Sequence, residues 1–76
     1  MITQILDVEG MTCQHCVGSV TKELTALDGV HDVHVDLHSD GVSTVTLTSD
    51  AEIVPELLSR AIEEAGYSLV GPPRTS

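Results

Sequence analysis

The chain has 76 residues and a formal net charge of −9, with Lys22, Arg60 and Arg74 its only Lys or Arg side chains. That balance argues against nucleic acid, whose phosphates need clustered Lys and Arg, and against an anionic membrane surface. A hydrophobic fraction of 41% with Tyr67 as the single aromatic residue implies a core of Val, Leu and Ile and little lining for a large planar cofactor.

At this length the chain makes one domain with a thin core. Met1 leads into a short mixed segment rather than a basic stretch followed by an apolar one. No apolar run approaches the roughly 18 to 20 residues that cross a bilayer. The expected location is therefore the cytoplasm, where thiols stay reduced. The acidic surface has two readings of equal standing: it keeps the protein soluble, or it meets a partner with a basic face.

The first predicted element is a strand over Ile2 to Val8, with Gln4, Leu6 and Val8 on one face and Thr3, Ile5 and Asp7 on the other. Gly10 breaks it and opens the loop Gly10-Met11-Thr12-Cys13-Gln14-His15. From Gln14 the period changes, because Val17, Val20, Leu24 and Leu27 recur at steps of three and four, the apolar stripe of a helix. Asp28-Gly29 ends that helix. Val30 to Leu37 alternates Val33, Val35 and Leu37 with His34, Asp36 and His38, a period of two. Ser39-Asp40-Gly41 reads as a hairpin turn, and Val42 to Thr48 returns as a strand with Val45 and Leu47 inward. Pro55 opens a second helix with Leu58, Ala61, Ile62 and Ala65 as its buried stripe, and Gly66 closes it. Tyr67 to Val70 is a last short strand, and residues 72–76 read as a flexible tail after a domain spanning 1–71. The order βαββαβ predicts an α+β, ferredoxin-like sandwich: a four-stranded antiparallel sheet with two helices on one face. That fold hosts many functions and names none of them.

The chemistry lies in Cys13-Gln14-His15-Cys16, which holds both cysteines of the chain. The pair falls between the first strand and the first helix, with Cys16 expected in the first helical turn. Backbone N–H groups there are unpaired and the helix dipole is positive, so a thiolate is favoured. Thiolate is the ligand form that selects soft metals. Two sulfurs suit copper(I) in low coordination, whereas zinc asks for four ligands, or three and an open position. The same spacing also serves thiol–disulfide exchange, which stays open as a second reading. His15, between the cysteines, is a candidate third ligand or a charge that tunes the thiolates. Met11 is soft enough to bind copper, or else packs inward as a loop anchor. His34 and His38 stand four residues apart, a separation of roughly 13 Å along a strand, and cannot share one ion. They and His31 read as exposed sheet residues.

Gly10-Met11-Thr12-Cys13-Gln14-His15-Cys16 resembles the Gly-Met-x-Cys-x-x-Cys signature of heavy-metal-associated domains, and the likeness runs from the first strand to Ala65-Gly66-Tyr67. Thr12 and His15 make it look most like the bacterial copper chaperones and the soluble domains of copper-transporting P-type ATPases; zinc and cadmium transporters of the family tend to carry an acidic residue in place of Thr12. The resemblance implies Cys13 and Cys16 as copper(I) ligands, Met11 as a buried anchor, and Tyr67 in a loop that approaches the metal. It also implies a carrier rather than an enzyme. Its partner would be a copper-transporting P-type ATPase or a copper-responsive regulator, with a copper-bridged homodimer as a further expectation. A piece of a copper ATPase and a mercury or zinc carrier are the alternatives. In one respect the chain departs from the family: eukaryotic copper chaperones present lysines to an acidic target, and this chain is strongly acidic, so any electrostatic docking should run with reversed polarity.

Overall fold

A computed structural model of the chain describes residues 1–11, 14–38 and 41–75. Its elements are β1 (Ile2–Glu9), α1 (Gln14–Thr25), β2 (Val30–Asp36), β3 (Ser43–Ser49), α2 (Pro55–Glu64), β4 (Ser68–Leu69) and β5 (Arg74–Thr75). The sheet runs β2-β3-β1-β4, every pair antiparallel, and β5 also pairs with β1. The βαββαβ order and the ferredoxin-like sandwich expected from the periodicity are therefore present, with a fifth short strand added.

Strand register sets the core. Leu6 lies opposite Val45, which lies opposite Val35; Gln4 lies opposite Leu47, which lies opposite Val33. Leu6, Val8, Val45 and Leu47 are fully buried on the helix-facing side, while Thr44, Thr46 and Thr48 are only half-buried on the other. On α1 the buried stripe is Cys16, Val20 and Leu24, spaced i, i+4, i+8, and Val17 is half-buried beside it. On α2 it is Leu58, Ala61 and Ile62. Pro55 occupies the start of α2 as expected, and Leu57 and Leu58 donate their N–H groups to the Val54 carbonyl.

Among the described residues, three polar side chains lie inside this core. Gln4 is 2% exposed, and its amide closes a ring with one residue far along the chain: Nε2 donates to the Ile53 carbonyl at 3.1 Å and Oε1 accepts from the Ile53 N–H at 2.9 Å. The buried Ser49 hydroxyl donates to the Ala51 carbonyl, and the buried Ser43 hydroxyl accepts from the His38 N–H. Gln4 thus acts as one more rung of backbone, pinning the connection into α2 against β1. Gln4→Leu keeps the volume and orphans the Ile53 amide, so the variant should unfold with about 2 kcal/mol less stability in urea. A loss within a few tenths of a kcal/mol would show that the paired amide is dispensable.

The end of the chain departs from the expected flexible tail. Arg74 and Thr75 form β5, opposite Ile5 and Gln4 of β1. The Arg74 guanidinium grips the Asp7 carboxylate through both oxygens, at 2.7 and 2.9 Å, a fork-to-fork geometry that holds the strand in place. The alternation that marks longer strands is lost in so short a segment behind Pro72-Pro73. Of the predicted hairpin turn, Ser39 and Asp40 lie outside the described residues, and Gly41 donates its N–H to the His38 carbonyl.

Candidate metal centre

The centre is built where β1 gives way to α1. Gly10 takes a left-handed φ of +96°, which turns the chain off the sheet, and Met11 then drops into the core at 1% exposure. Thr12 and Cys13 lie outside the described residues. Cys16 stands in the first turn of α1 and is 8% exposed, with its sulfur on the core-facing stripe of the helix. The first-turn N–H groups and the positive end of the helix dipole are at hand there. His15 points the other way, exposed, and its carbonyl accepts from the Ser19 hydroxyl one turn on.

Tyr67 reaches the same place from the other side of the fold. Helix α2 closes with two hydrogen bonds, Gly66 N–H to the Glu63 carbonyl and Tyr67 N–H to the Ile62 carbonyl, around Gly66 at φ +96°. This is a Schellman closure, and it fixes where Tyr67 leaves the helix. Ser68 then pairs with Glu9 of β1, which brings Tyr67 alongside Gly10 and onto the cluster that contains Met11 and Cys16.

Two of the remaining three histidines are engaged elsewhere. His31 sits at the β-bulge between Val30 and Asp32 and bonds Asp50 across the sheet edge. His38 bonds Asp36 at 3.2 Å, and His34 is exposed. Among the described residues, no group of three or more His, Cys, Asp and Glu is placed to hold a metal ion. A shallow cavity of about 420 Å³ lies beside the start of α2, between Pro55 and Pro73, and no candidate metal residue lines it. Among the described residues, no helix is long and apolar enough to cross a membrane.

The sequence reading missed that Cys16 belongs to the apolar stripe of α1; the i, i+4, i+8 spacing of Cys16, Val20 and Leu24 carried that signal. It also missed Gln4, whose partner lies 49 residues away.

Residues 5–68 match the sequence profile of the heavy-metal-associated domain. The chain belongs to that family. Among its relatives, the copper chaperone CopZ of Bacillus subtilis (strain 168) is 42% identical over 69 residues, covering 91% of this chain and 97% of the relative. A solved CopZ metallochaperone superposes on this heavy-metal-associated domain with a TM-score of 0.76 at 33% identity, over 90% of this chain and 98% of that one. The solved Atx1–Cu(I)–Ccc2a complex gives 0.74 at 28% identity, over 92% and 93% of the two chains. The expected likeness to the bacterial copper chaperones thus holds across almost the whole domain.

Proposed function

We propose that this domain is a cytoplasmic copper(I) chaperone: it carries one Cu(I) ion between Cys13 and Cys16 and passes it by ligand exchange to a copper-transporting P-type ATPase. The observation that carries this reading is the placement of Cys16 in the first turn of α1, within a chain that matches the copper chaperone CopZ of Bacillus subtilis along 97% of that relative's length. The donor chemistry agrees. Two thiolates suffice for copper(I), whereas zinc asks for four ligands, or three and an open position. Transfer requires no bond in a substrate to break. A partner thiolate adds to the ion, one of the two cysteine sulfurs lets go, and the second follows. Met11 is buried in the cluster that holds Cys16, Tyr67 packs against that cluster, and His15 is exposed.

Anaerobic titration with Cu(I) tests the reading. One equivalent should bind and stay bound against a chromophoric Cu(I) chelator, with Zn(II) unable to displace it. Failure to retain copper against the chelator would overturn it. Turnover in an insulin-reduction assay would move the pair to thiol–disulfide chemistry instead.

Charge placement bears on the partner. Glu9 ends β1 beside Ser68, and Glu63 and Glu64 close α2 just before Tyr67. The cations lie elsewhere: Lys22 in the last turn of α1, Arg60 within α2, and Arg74 in the grip of Asp7. The metal end is therefore acidic, and an acceptor domain with a basic face fits it. Stopped-flow transfer to such an acceptor should slow by roughly tenfold between low and physiological salt, as screened encounters do. A rate indifferent to salt would remove charge from the docking step. A second reading, that this chain is a domain of a copper transporter, has its own support: the yeast copper transporter domain Ccc2a superposes with a TM-score of 0.76 at 26% identity over 100% of this chain.

A further inference from the structure

Strand β4 covers the outer border of β1 only at Val8 and Glu9, and β5 covers it at Gln4 and Ile5. The Val70 N–H donates to the Asp7 carbonyl at 2.7 Å, so the backbone of Asp7 turns toward this border. By the alternation of an antiparallel strand, the N–H and C=O groups of Ile5 and Thr3 turn the same way. The cover over them is slight. β5 has two residues, both exposed, and it lies outside residues 5–68 that match the family profile. From Leu69 to Arg74 the chain takes five steps where β1 takes three between Val8 and Ile5. Gly71-Pro72-Pro73 therefore bows off the border, leaving the shallow cavity against Pro55, and its two prolines have no N–H to give to β1. The fork of Arg74 on Asp7, at 2.7 and 2.9 Å, is the side-chain bond that fastens the segment.

We propose that the outer border of β1 is a pairing surface for a second copy of this chain, and that the Arg74–Asp7 fork controls it by holding β5 in place. When β5 lifts, Thr3 and Ile5 present free N–H and C=O groups, a template for an added strand. The β1 of a second copy fits that template. With a two-fold axis at Gln4, the two strands overlap over Ile2 to Leu6, and Thr3 of each copy faces Ile5 of the other. Both are β-branched residues, which suit a sheet. Asp7 stands outside the overlap, so no carboxylate of one strand meets a carboxylate of the other. Each copy has one such border, so the pairing closes at two.

Sedimentation of the metal-free, reduced protein is the test, and its outcome is independent of the copper reading. The natural chain should stay monomeric into the high-micromolar range. Arg74→Glu should free β5 about three- to tenfold more often. Because both copies must open, dimerisation should strengthen by the square of that factor, about 10- to 100-fold. It should do so although the substitution makes a chain of charge −9 more negative, which by itself drives copies apart. Amide exchange at Ile5 in dilute solution should quicken by the same factor of about three to ten. Asp7→Arg/Arg74→Glu rebuilds the fork with reversed polarity and the natural net charge, and should restore the monomer. Thr3→Pro added to Arg74→Glu removes an N–H from the border and should restore it too. An Arg74→Glu variant that stays as monomeric as the natural chain, or whose Ile5 amide exchanges at the natural rate, would overturn the proposal. So would species larger than dimers, or dimers that survive Thr3→Pro and hence pair through another surface. Should Thr3→Pro fail to fold, the reversed fork still decides: dimers that persist in it would show that Arg74 acts by something other than its bond to Asp7, and the proposal would fall.

Discussion

Replacing Cys16 by serine should cost this domain at least about 100-fold in Cu(I) affinity while leaving it folded. The lower bound comes from comparison: partners that merely orient a metal ligand cost roughly 10- to 100-fold when removed, so loss of a ligand itself must exceed that. Serine offers a hard oxygen that stays protonated at neutral pH, and copper(I) selects soft thiolate. With Cys13 left alone, the ion would lose one of its two proposed sulfur ligands. The fold should tolerate the change, because serine is smaller than cysteine and the site lies on the first turn of α1 rather than mid-core. Putting a hydroxyl at a position only 8% exposed should cost about 1 to 2 kcal/mol of stability. Chelator competition on Cys16→Ser and on the Cys13→Ser, Cys16→Ser pair, alongside thermal denaturation, separates the two effects. Natural affinity in the double variant would end the case for a sulfur site.

The second large effect concerns the core. Leu6→Ala should remove about 3 to 4 kcal/mol, in the upper part of the range for buried leucines. Leu6 is fully buried, and it lies on β1, the strand that β3, β4 and β5 all pair with. Strands on either side fix its neighbours, so the cavity has little room to collapse. A domain of this size has only about 4 to 11 kcal/mol to lose. Urea denaturation should therefore show a markedly lower midpoint with an unchanged slope, and copper loading should restore part of the loss by mass action. A loss below about 1 kcal/mol would mean that the surrounding side chains close the gap, contrary to the packing described.

Periodicity made the larger elements legible. The alternation through Val33, Val35 and Leu37 and the three-and-four spacing through Val20 and Leu24 are local signals, and each maps onto β2 or α1 within a residue or two. The spacing of Cys13 and Cys16, and the change to a helical period beside them, are likewise local and can be read along the chain. What could not be read depends on residues far apart in sequence. Gln4 looks like an ordinary polar residue until Ile53 is brought to it. Gly10 looks like a turn residue until the end of α2 lays Tyr67 against it. Arg74 reads as part of a loose tail because a two-residue strand has no period; its pairing with Ile5 and its bond to Asp7 both depend on residues at the other end of the chain. Cys16, expected in the first helical turn as a ligand, is there and is also part of the apolar stripe of α1.

The two margins of the sheet bear on how copies of this protein meet. On one margin, β4 and β5 cover β1 in two short pieces, and Gly71-Pro72-Pro73 between them offers a broken row of donors. On the other, β2 displays His31, Asp32, His34 and Asp36 to solvent. Interrupted or charged borders of this kind discourage a neighbour from adding its own strand. Crowded copies are thereby kept from zipping together side by side.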